Sequence, residues 1–323
     1  MTVSPSNEDI FSPGNTAVIT GASSGIGRAT AIMCASKGMN VWLVDVDEEE
    51  LKGAVEMVIE EKKKIRGVGE QKIVNVVADV SSLSAMEKLS EQVFAAHNAC
   101  HFLMNNAGIG SGGGALTPME TLMHTMEVNT YGPIHGCLAF VPKMKSSASQ
   151  TCALVVNTGS KQGITMPPGN LSYNVSKAAL KAYTEGLEHE LSTERRDEST
   201  KVKIRAALLI PGWTNTSIAL KDARAKAQSS GETFDASKVF FHEGKPASGA
   251  WMPQQVVDFM LSELDEGRFY ILCPDNDVDR ETDNLRMTWT MQDITMDRPP
   301  LSRWHPDYTE DFTEFLEKNK TKK

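Results

Sequence analysis

The run T-A-V-I-T-G-A-S-S-G-I-G-R, Thr16 to Arg28, decides how the rest of the chain is read. Ala17, Val18, Ile19 and Thr20 form an apolar, largely β-branched run of the kind that builds a buried strand. Gly21 stops it, a small polar turn follows, and a helical pattern begins near Gly25. At such a joint the first N–H groups of the helix have no intrahelical partner, and the helix dipole favours an anion there. Gly21 permits the tight turn. Gly25 and Gly27 let backbone approach a pyrophosphate and let the helix lie close on the strand. The spacing is G-x-x-x-G-x-G, and its place directly after a first strand predicts a phosphate cradle.

Working outward, Ile26 to Lys37 continues as a helix closed by Gly38, and Asn40 to Val44 is a continuous apolar run suited to a strand buried on both faces. Parallel neighbours need a crossover helix, so this is a right-handed βαβ unit. The second strand ends at Asp45, about 20 residues past the glycine turn. A carboxylate there accepts both ribose hydroxyls of NAD and repels the 2′-phosphate of NADP. Asp47 to Lys64 reads as an amphipathic helix whose charge run, Glu60 to Lys64, is a solvated face.

The alternation continues. Lys72 to Ala78 is a third strand ending in Asp79-Val80, at the edge where an α/β sheet binds its ligand. A helix over Ser84 to Ala99 and a short strand, Phe102 to Met104, lead into Asn105-Asn106-Ala107-Gly108. Thr121 to Lys145 is a helix interrupted around Asn129 to Pro133, with Asn129 in apolar surroundings. Further strands are expected at Thr151 to Thr158, Val202 to Ile210 and Phe269 to Cys273, with helices at Ser172 to Glu190, Ser217 to Gln228 and Pro253 to Leu264. The fold class is α/β: one doubly wound, seven-stranded parallel sheet with helices on both faces.

Tyr173 and Lys177 stand four apart on a predicted helix and share a face. Ser160, thirteen residues upstream, closes the fifth strand, so the three converge on the crevice that holds the glycine turn. A phenol beside an ammonium is expected to have its pKa lowered from about 10, which suits it to general acid–base work. Ser160 is placed to hydrogen-bond a substrate oxygen as alkoxide character develops.

These pieces resemble a short-chain dehydrogenase/reductase: T-G-A-S-S-G-I-G (Thr20 to Gly27), Asp45, Asp79-Val80, N-N-A-G (Asn105 to Gly108), Asn129, Ser160, Y-N-V-S-K (Tyr173 to Lys177) and P-G-W-T-N-T (Pro211 to Thr216). They fall in family order, and the resemblance extends over about 260 residues. The resemblance implies a Rossmann-type domain over residues 16–274 and a catalytic tetrad of Asn129, Ser160, Tyr173 and Lys177. It implies cofactor contacts from Gly21, Ser23, Ser24, Gly25, Ile26 and Gly27, and from Asn106 and Gly108. Asp79 and Val80 would hold adenine; Pro211, Gly212, Thr214 and Thr216 would meet the nicotinamide; Tyr173 and Lys177 would touch its ribose. Relatives that prefer NADP place a basic residue where this chain has Ser24 or Val46, so NAD is the expected cofactor. Arg28 is expected to point into the helix and not to read phosphate. The implied reaction is hydride transfer between a secondary alcohol or ketone and NAD(P), with Tyr173 as acid/base and no metal. A non-redox protein on the same fold (an epimerase, a lyase or a nucleotide-binding sensor) is the alternative. The family habit of pairing through the helices at 119–145 and 172–192 implies a homodimer or homotetramer.

The common core of the family leaves residues 1–15, read as a polar arm, and 275–323, a Pro- and Arg-containing C-terminal extension read as a surface wrap. The substrate is expected to meet Ser160, Met166, Tyr173 and Trp213, and Ile164, Pro167, Phe240, Phe241, Trp251 and Met252 suggest an apolar mouth. A formal net charge of −9 argues against nucleic acid and anionic membrane surfaces as partners. No apolar run is long enough for a membrane span. Five scattered cysteines, Cys34, Cys100, Cys137, Cys152 and Cys273, lack metal spacing and read as buried free thiols of a reducing, cytoplasmic compartment.

Overall fold

The computed structural model describes residues 6–64, 71–110, 112–239 and 242–321. Seven parallel strands are ordered β3-β2-β1-β4-β5-β6-β7: β1 Thr16–Thr20, β2 Asn40–Asp45, β3 Ile73–Val77, β4 Phe102–Asn105, β5 Cys152–Thr158, β6 Lys203–Ile210 and β7 Tyr270–Leu272. The order reverses between β1 and β4, which pair through Ala17↔Phe102 and Ile19↔Met104. Their C-terminal ends open a crevice there, because the connections from the two strands leave towards opposite faces. β1, β2, β4 and β5 are buried along their whole length, as continuous apolar runs require.

Helices flank the sheet: α1 Asn7–Ile10, α2 Gly25–Ser36, α3 Glu48–Lys63, α4 Leu83–His97, α5 Met119–Met126, α6 Gly132–Ser146, α7 Gln162–Thr165, α8 Leu171–Glu194, α9 Ile218–Ser230, α10 Pro253–Asp265, α11 Arg280–Thr295 and α12 Thr309–Asn319. One core lies under α2, α3 and α10, with Leu51, Val256, Val257 and Met260 fully buried. The other lies under α4, α6 and α8, around Met86, Phe140 and Met144.

Three features differ from the sequence reading. The first residues are not a polar arm throughout: Ser6 and Asp9 form a capping box on α1, and Ile10 and Phe11 enter the core, Phe11 meeting Phe102 edge-to-face at 5.0 Å. The interruption between α5 and α6 is a π-helical turn, Glu127–Tyr131, which carries the fully buried Asn129. The C-terminal extension builds its own small core. Trp289 on α11 is 4% exposed, meets Phe312 and Phe315 of α12 at 5.3 and 5.1 Å, and lies under the Arg298 guanidinium at 3.7 Å.

The five cysteines are buried free thiols. Among the described residues no helix is long and apolar enough to cross a membrane.

Candidate active site

A cleft of about 700 Å³ runs along the C-terminal edge of the sheet, within the range of small-molecule and cofactor sites. Asp45, Val46, Asp79 and Val80 line one end; Ser160, Tyr173, Lys177 and Trp213 line the other. Gly21, Ser24, Gly25 and Ile26 form the wall between them, facing Asn106, Gly108, Pro211, Gly212, Thr214 and Thr216. Most of the residues expected to meet a dinucleotide therefore share one groove. Ser23 and Gly27 are outside its lining.

The cradle owes its shape to missing side chains. A Cβ on Gly21, which has φ of +64°, would fall 2.7 Å from Cα of Ala107, and one on Gly27 would fall 2.2 Å from the Gly21 carbonyl oxygen. A Cβ on Gly25, at φ of +55°, would meet Thr216 at 3.2 Å. The turn, the helix and the Asn106 loop thus close on one another at backbone distance. The Thr20 hydroxyl accepts from the N–H groups of Asn106 and Ala107 at 3.0 and 3.1 Å, fixing that loop to the end of β1. At the far end Asp45 is 9% exposed; its Oδ2 accepts the Ser23 N–H (3.0 Å) and its Oδ1 that of Asp47 (3.2 Å). An acid held this way faces the groove from the tip of β2, the position suited to ribose hydroxyls.

An anion already marks the cradle. The Glu243 carboxylate accepts the Gly25 N–H at 2.6 Å and pairs with Arg28. This corrects the expectation for Arg28: its guanidinium turns back to the mouth of α2, where it also donates to the Ser23 carbonyl at 3.3 Å. The chemistry of this corner, backbone N–H plus guanidinium at a helix N-terminus, fits a dinucleotide pyrophosphate.

At the other end Ser160 and Tyr173 line the cleft together, and the Ser160 hydroxyl favours the ionised form of the Tyr173 phenol. Lys177, 4% exposed, donates to the Thr158 carbonyl at 2.7 Å and stands 5.7 Å from the centroid of the Tyr173 ring. Asn129 accepts the Ile109 N–H (2.8 Å) and donates to the Ile109 carbonyl (2.9 Å) and to Ser176 Oγ (3.1 Å). The π-turn points this amide inward. A Cβ on Gly108 would meet both Asn129 Oδ1, at 3.3 Å, and Lys177 Nζ, at 3.6 Å. Asn129, Ser160, Tyr173 and Lys177 are thus brought to one corner by the π-turn, the end of β5 and one face of α8.

A family model described as short chain dehydrogenase matches residues 15–227. The chain belongs to this family. Among short-chain dehydrogenases, it is 30% identical over 207 residues to the putative oxidoreductase SadH of Mycobacterium tuberculosis, covering 64% of this chain and 69% of that protein. It is 28% identical to the 3-ketodihydrosphingosine reductase of Bacteroides thetaiotaomicron, over 71% of this chain and 74% of that protein. A short-chain dehydrogenase/reductase from Burkholderia phymatum, solved in complex with NAD, superposes with a TM-score of 0.73 at 29% identity, covering 89% of this chain and 96% of that one. The family, the fold and the oxidoreductase class of its relatives agree.

In this short-chain dehydrogenase the electrostatics of the corner depart from the sequence reading. Tyr173 is raised, not lowered, from the usual phenol pKa. Burial is the main cause, the Ser160 hydrogen bond works against it, and the Asp222 carboxylate on α9 adds to it. The neighbouring ammonium does not offset this, because burial also lowers Lys177, to about 8. Spacing on a helix reveals a shared face but not the desolvation of both groups.

A stability prediction follows from Lys177. Its folded pKa of about 8 lies below its ordinary 10.5, so between those values the unfolded chain binds more protons than the folded one. The group opposes folding fully below the lower value, and the opposition fades as pH rises to the upper. Relative to Lys177→Met, the wild-type protein should gain roughly 3 kcal/mol of stability between neutral pH and pH 10.5, measured by denaturant unfolding. A gap that stays constant with pH would show that the ammonium is not desolvated.

The expected apolar mouth is also corrected. Among its described residues, Trp213 alone lines the cleft. Met166 ends α7 at φ of +46° and lies outside the lining, Ile164 packs on Leu208 and Leu272, and Trp251 packs on Phe259 at 5.7 Å. Ile164 and Trp251 anchor loops to the body. Phe240 and Phe241 lie outside the described residues. Ile109, Val128 and Ile218 supply the apolar wall instead, beside His124, Lys161 and Gln162. Lys161, next to Ser160, pairs with Asp283 at 2.5 Å and Asp275 at 3.3 Å, so the C-terminal extension is fastened to the end of β5. Asp275 also accepts the Trp213 N–H at 3.1 Å. Sequence offered no sign of these long-range ties.

Proposed function

We propose that the protein catalyses the interconversion of an apolar secondary alcohol and its ketone, with NAD preferred over NADP. The observation that carries this reading is the Ser160–Tyr173 hydroxyl pair, placed over buried Lys177 at one end of the groove that begins at the glycine cradle. A bound nicotinamide would supply or accept the hydride. Tyr173 moves the proton: it protonates the oxygen that becomes the alcohol, or takes the proton when the alcohol is oxidised. Ser160 donates to the same oxygen and orients it. Lys177, tied to the Thr158 carbonyl beside the Tyr173 ring, holds the proton next in line to the phenol. Asn129 holds the Gly108-Ile109 backbone beside that ammonium. Ile109, Val128, Trp213 and Ile218 give the site an apolar wall, and the relative named as a 3-ketodihydrosphingosine reductase supports a ketone with hydrophobic substituents. Turnover of a panel of such ketones and alcohols, followed at the NADH absorbance band, tests the reading.

Asp45 carries the cofactor preference. Lys221, the nearby cation, pairs with Glu50 at 2.7 Å and donates to Ser23 Oγ at 3.2 Å, so its charge is balanced in place. Asp45→Asn combined with Val46→Arg keeps an acceptor for the Ser23 N–H and reverses the local charge. The ratio of NADH to NADPH affinity should fall on the order of 10- to 100-fold. An unchanged ratio in fluorescence titrations would place the ribose elsewhere.

Residues 16–274 act in this reading as one catalytic unit, with 275–323 buttressing the substrate end. Leu138 and Val175 on α6 and α8, 55% and 39% exposed, suit pairing of two copies through these helices. Buried free thiols suit a reducing, cytoplasmic setting.

A further inference from the structure

The corner at the start of α2 holds an anion that is part of the chain. Glu243 sits on a tight turn closed by reciprocal hydrogen bonds between His242 and Lys245, at 3.1 and 2.9 Å. Its Oε1 takes the Gly25 N–H at 2.6 Å and lies 3.5 Å from Ser217 Oγ; its Oε2 takes the Arg28 guanidinium. This pairing spans 215 residues of sequence, and the two side chains keep only 25% and 21% of their exposure. It is more than a surface ion pair, because one carboxylate oxygen rests on the backbone donor of the glycine cradle. Gly25 is the residue whose missing Cβ leaves room there. Ser217, Gly25 and Thr216 all line the cleft.

We propose that Arg28 is a pyrophosphate-binding residue and that Glu243 is an internal competitor that holds the pyrophosphate seat until a dinucleotide displaces it. The proposal rests on the reading of the cleft as a dinucleotide site and adds two residues to it. A carboxylate and a phosphate diester present the same features to this corner: negative charge and oxygens that accept from N–H. They cannot share the Gly25 N–H. Once displaced, Glu243 also repels the phosphates from close range unless its turn moves away. Glu243 therefore weakens every ligand that carries a pyrophosphate, and Arg28, released from it, is free to pair with the diphosphate. A ligand without phosphate does not meet this competition.

The test is equilibrium binding with no turnover: NADH by fluorescence, ADP-ribose and adenosine by calorimetry. Wild-type protein is compared with Glu243→Gln and Arg28→Met, each checked by thermal melting. Glu243→Gln keeps the shape and removes the charge. It should tighten NADH and ADP-ribose by about tenfold and leave adenosine unchanged. Arg28→Met should weaken the two pyrophosphate ligands by about the same factor, with adenosine again unchanged. Should wild type bind NADH while Glu243→Gln binds it no better, or Arg28→Met no worse, the proposal is overturned and the dinucleotide reading stands. Equal shifts for adenosine would show a general disturbance of the cleft and would also overturn it. Should wild type bind neither NADH nor ADP-ribose, the dinucleotide reading falls, and this proposal with it.

Discussion

Tyr173→Phe is expected to lower turnover on the order of 10³-fold while keeping most of the affinity for NADH. The substitution removes one oxygen and leaves the ring against the cleft wall, so the fold and the nucleotide groove are preserved. What it removes is the group that carries the proton in the proposed reaction. The Ser160 hydroxyl remains, but an aliphatic alcohol is too weak an acid to replace a phenol, and the ammonium of Lys177 is directed at the Thr158 carbonyl. Burial raises Tyr173, so its proton is held firmly in the free protein. In the proposed reaction, ketone reduction draws on that proton. Alcohol oxidation needs the phenolate and should gain with rising pH. A Tyr173→Phe variant that turns over at near wild-type rate would remove the phenol from the mechanism.

Gly27→Ala is expected to cost about 3 kcal/mol or more in stability and to abolish dinucleotide binding. The added methyl would stand 2.2 Å from the Gly21 carbonyl oxygen and 2.7 Å from Asn106 Nδ2. Both neighbours are themselves fixed: Gly21 lies in a positive-φ turn, and Asn106 donates to the carbonyls of Thr20 and Gly21 at 3.2 and 3.3 Å. Relief requires α2 to withdraw from β1, which takes the cradle apart. Denaturant unfolding and NADH titration would measure the two losses. A variant with the wild-type midpoint and affinity would show that the helix does not lie so close.

Much of this was legible in the sequence because parallel strands buried on both faces are continuous apolar runs. Asn40 to Asp45 and Thr16 to Thr20 need no partner to be recognised. The glycine turn was legible for a related reason: a close backbone approach leaves only glycine possible at Gly21 and Gly27. Where a side chain's role depends on distant partners, local pattern fell silent. The Arg28–Glu243, Lys161–Asp283 and Lys221–Glu50 pairs each join parts far apart in the chain. Charge sign alone does not identify such partners. Nor did composition reveal which way a loop faces: Trp251 is apolar and close to the right strands, yet it serves packing. Asn129 was recognisable as an oddity in a helix, but its use required the π-turn to point it at Ile109. The direction of the Tyr173 shift was misread because desolvation, a property of the assembled cleft, outweighs the charge one turn away.

The central claim is that a redox reaction occurs where the cradle and the phenol meet. Mixing the protein with NADH deuterated at the transferable position and a panel of hydrophobic ketones, then examining products by mass spectrometry, tests it most directly. The account predicts deuterium on the carbinol carbon of at least one product, formed by wild type and lost in Tyr173→Phe. NADH bound tightly but never oxidised, with no label in any product, would contradict it and leave a nucleotide-binding protein without this chemistry.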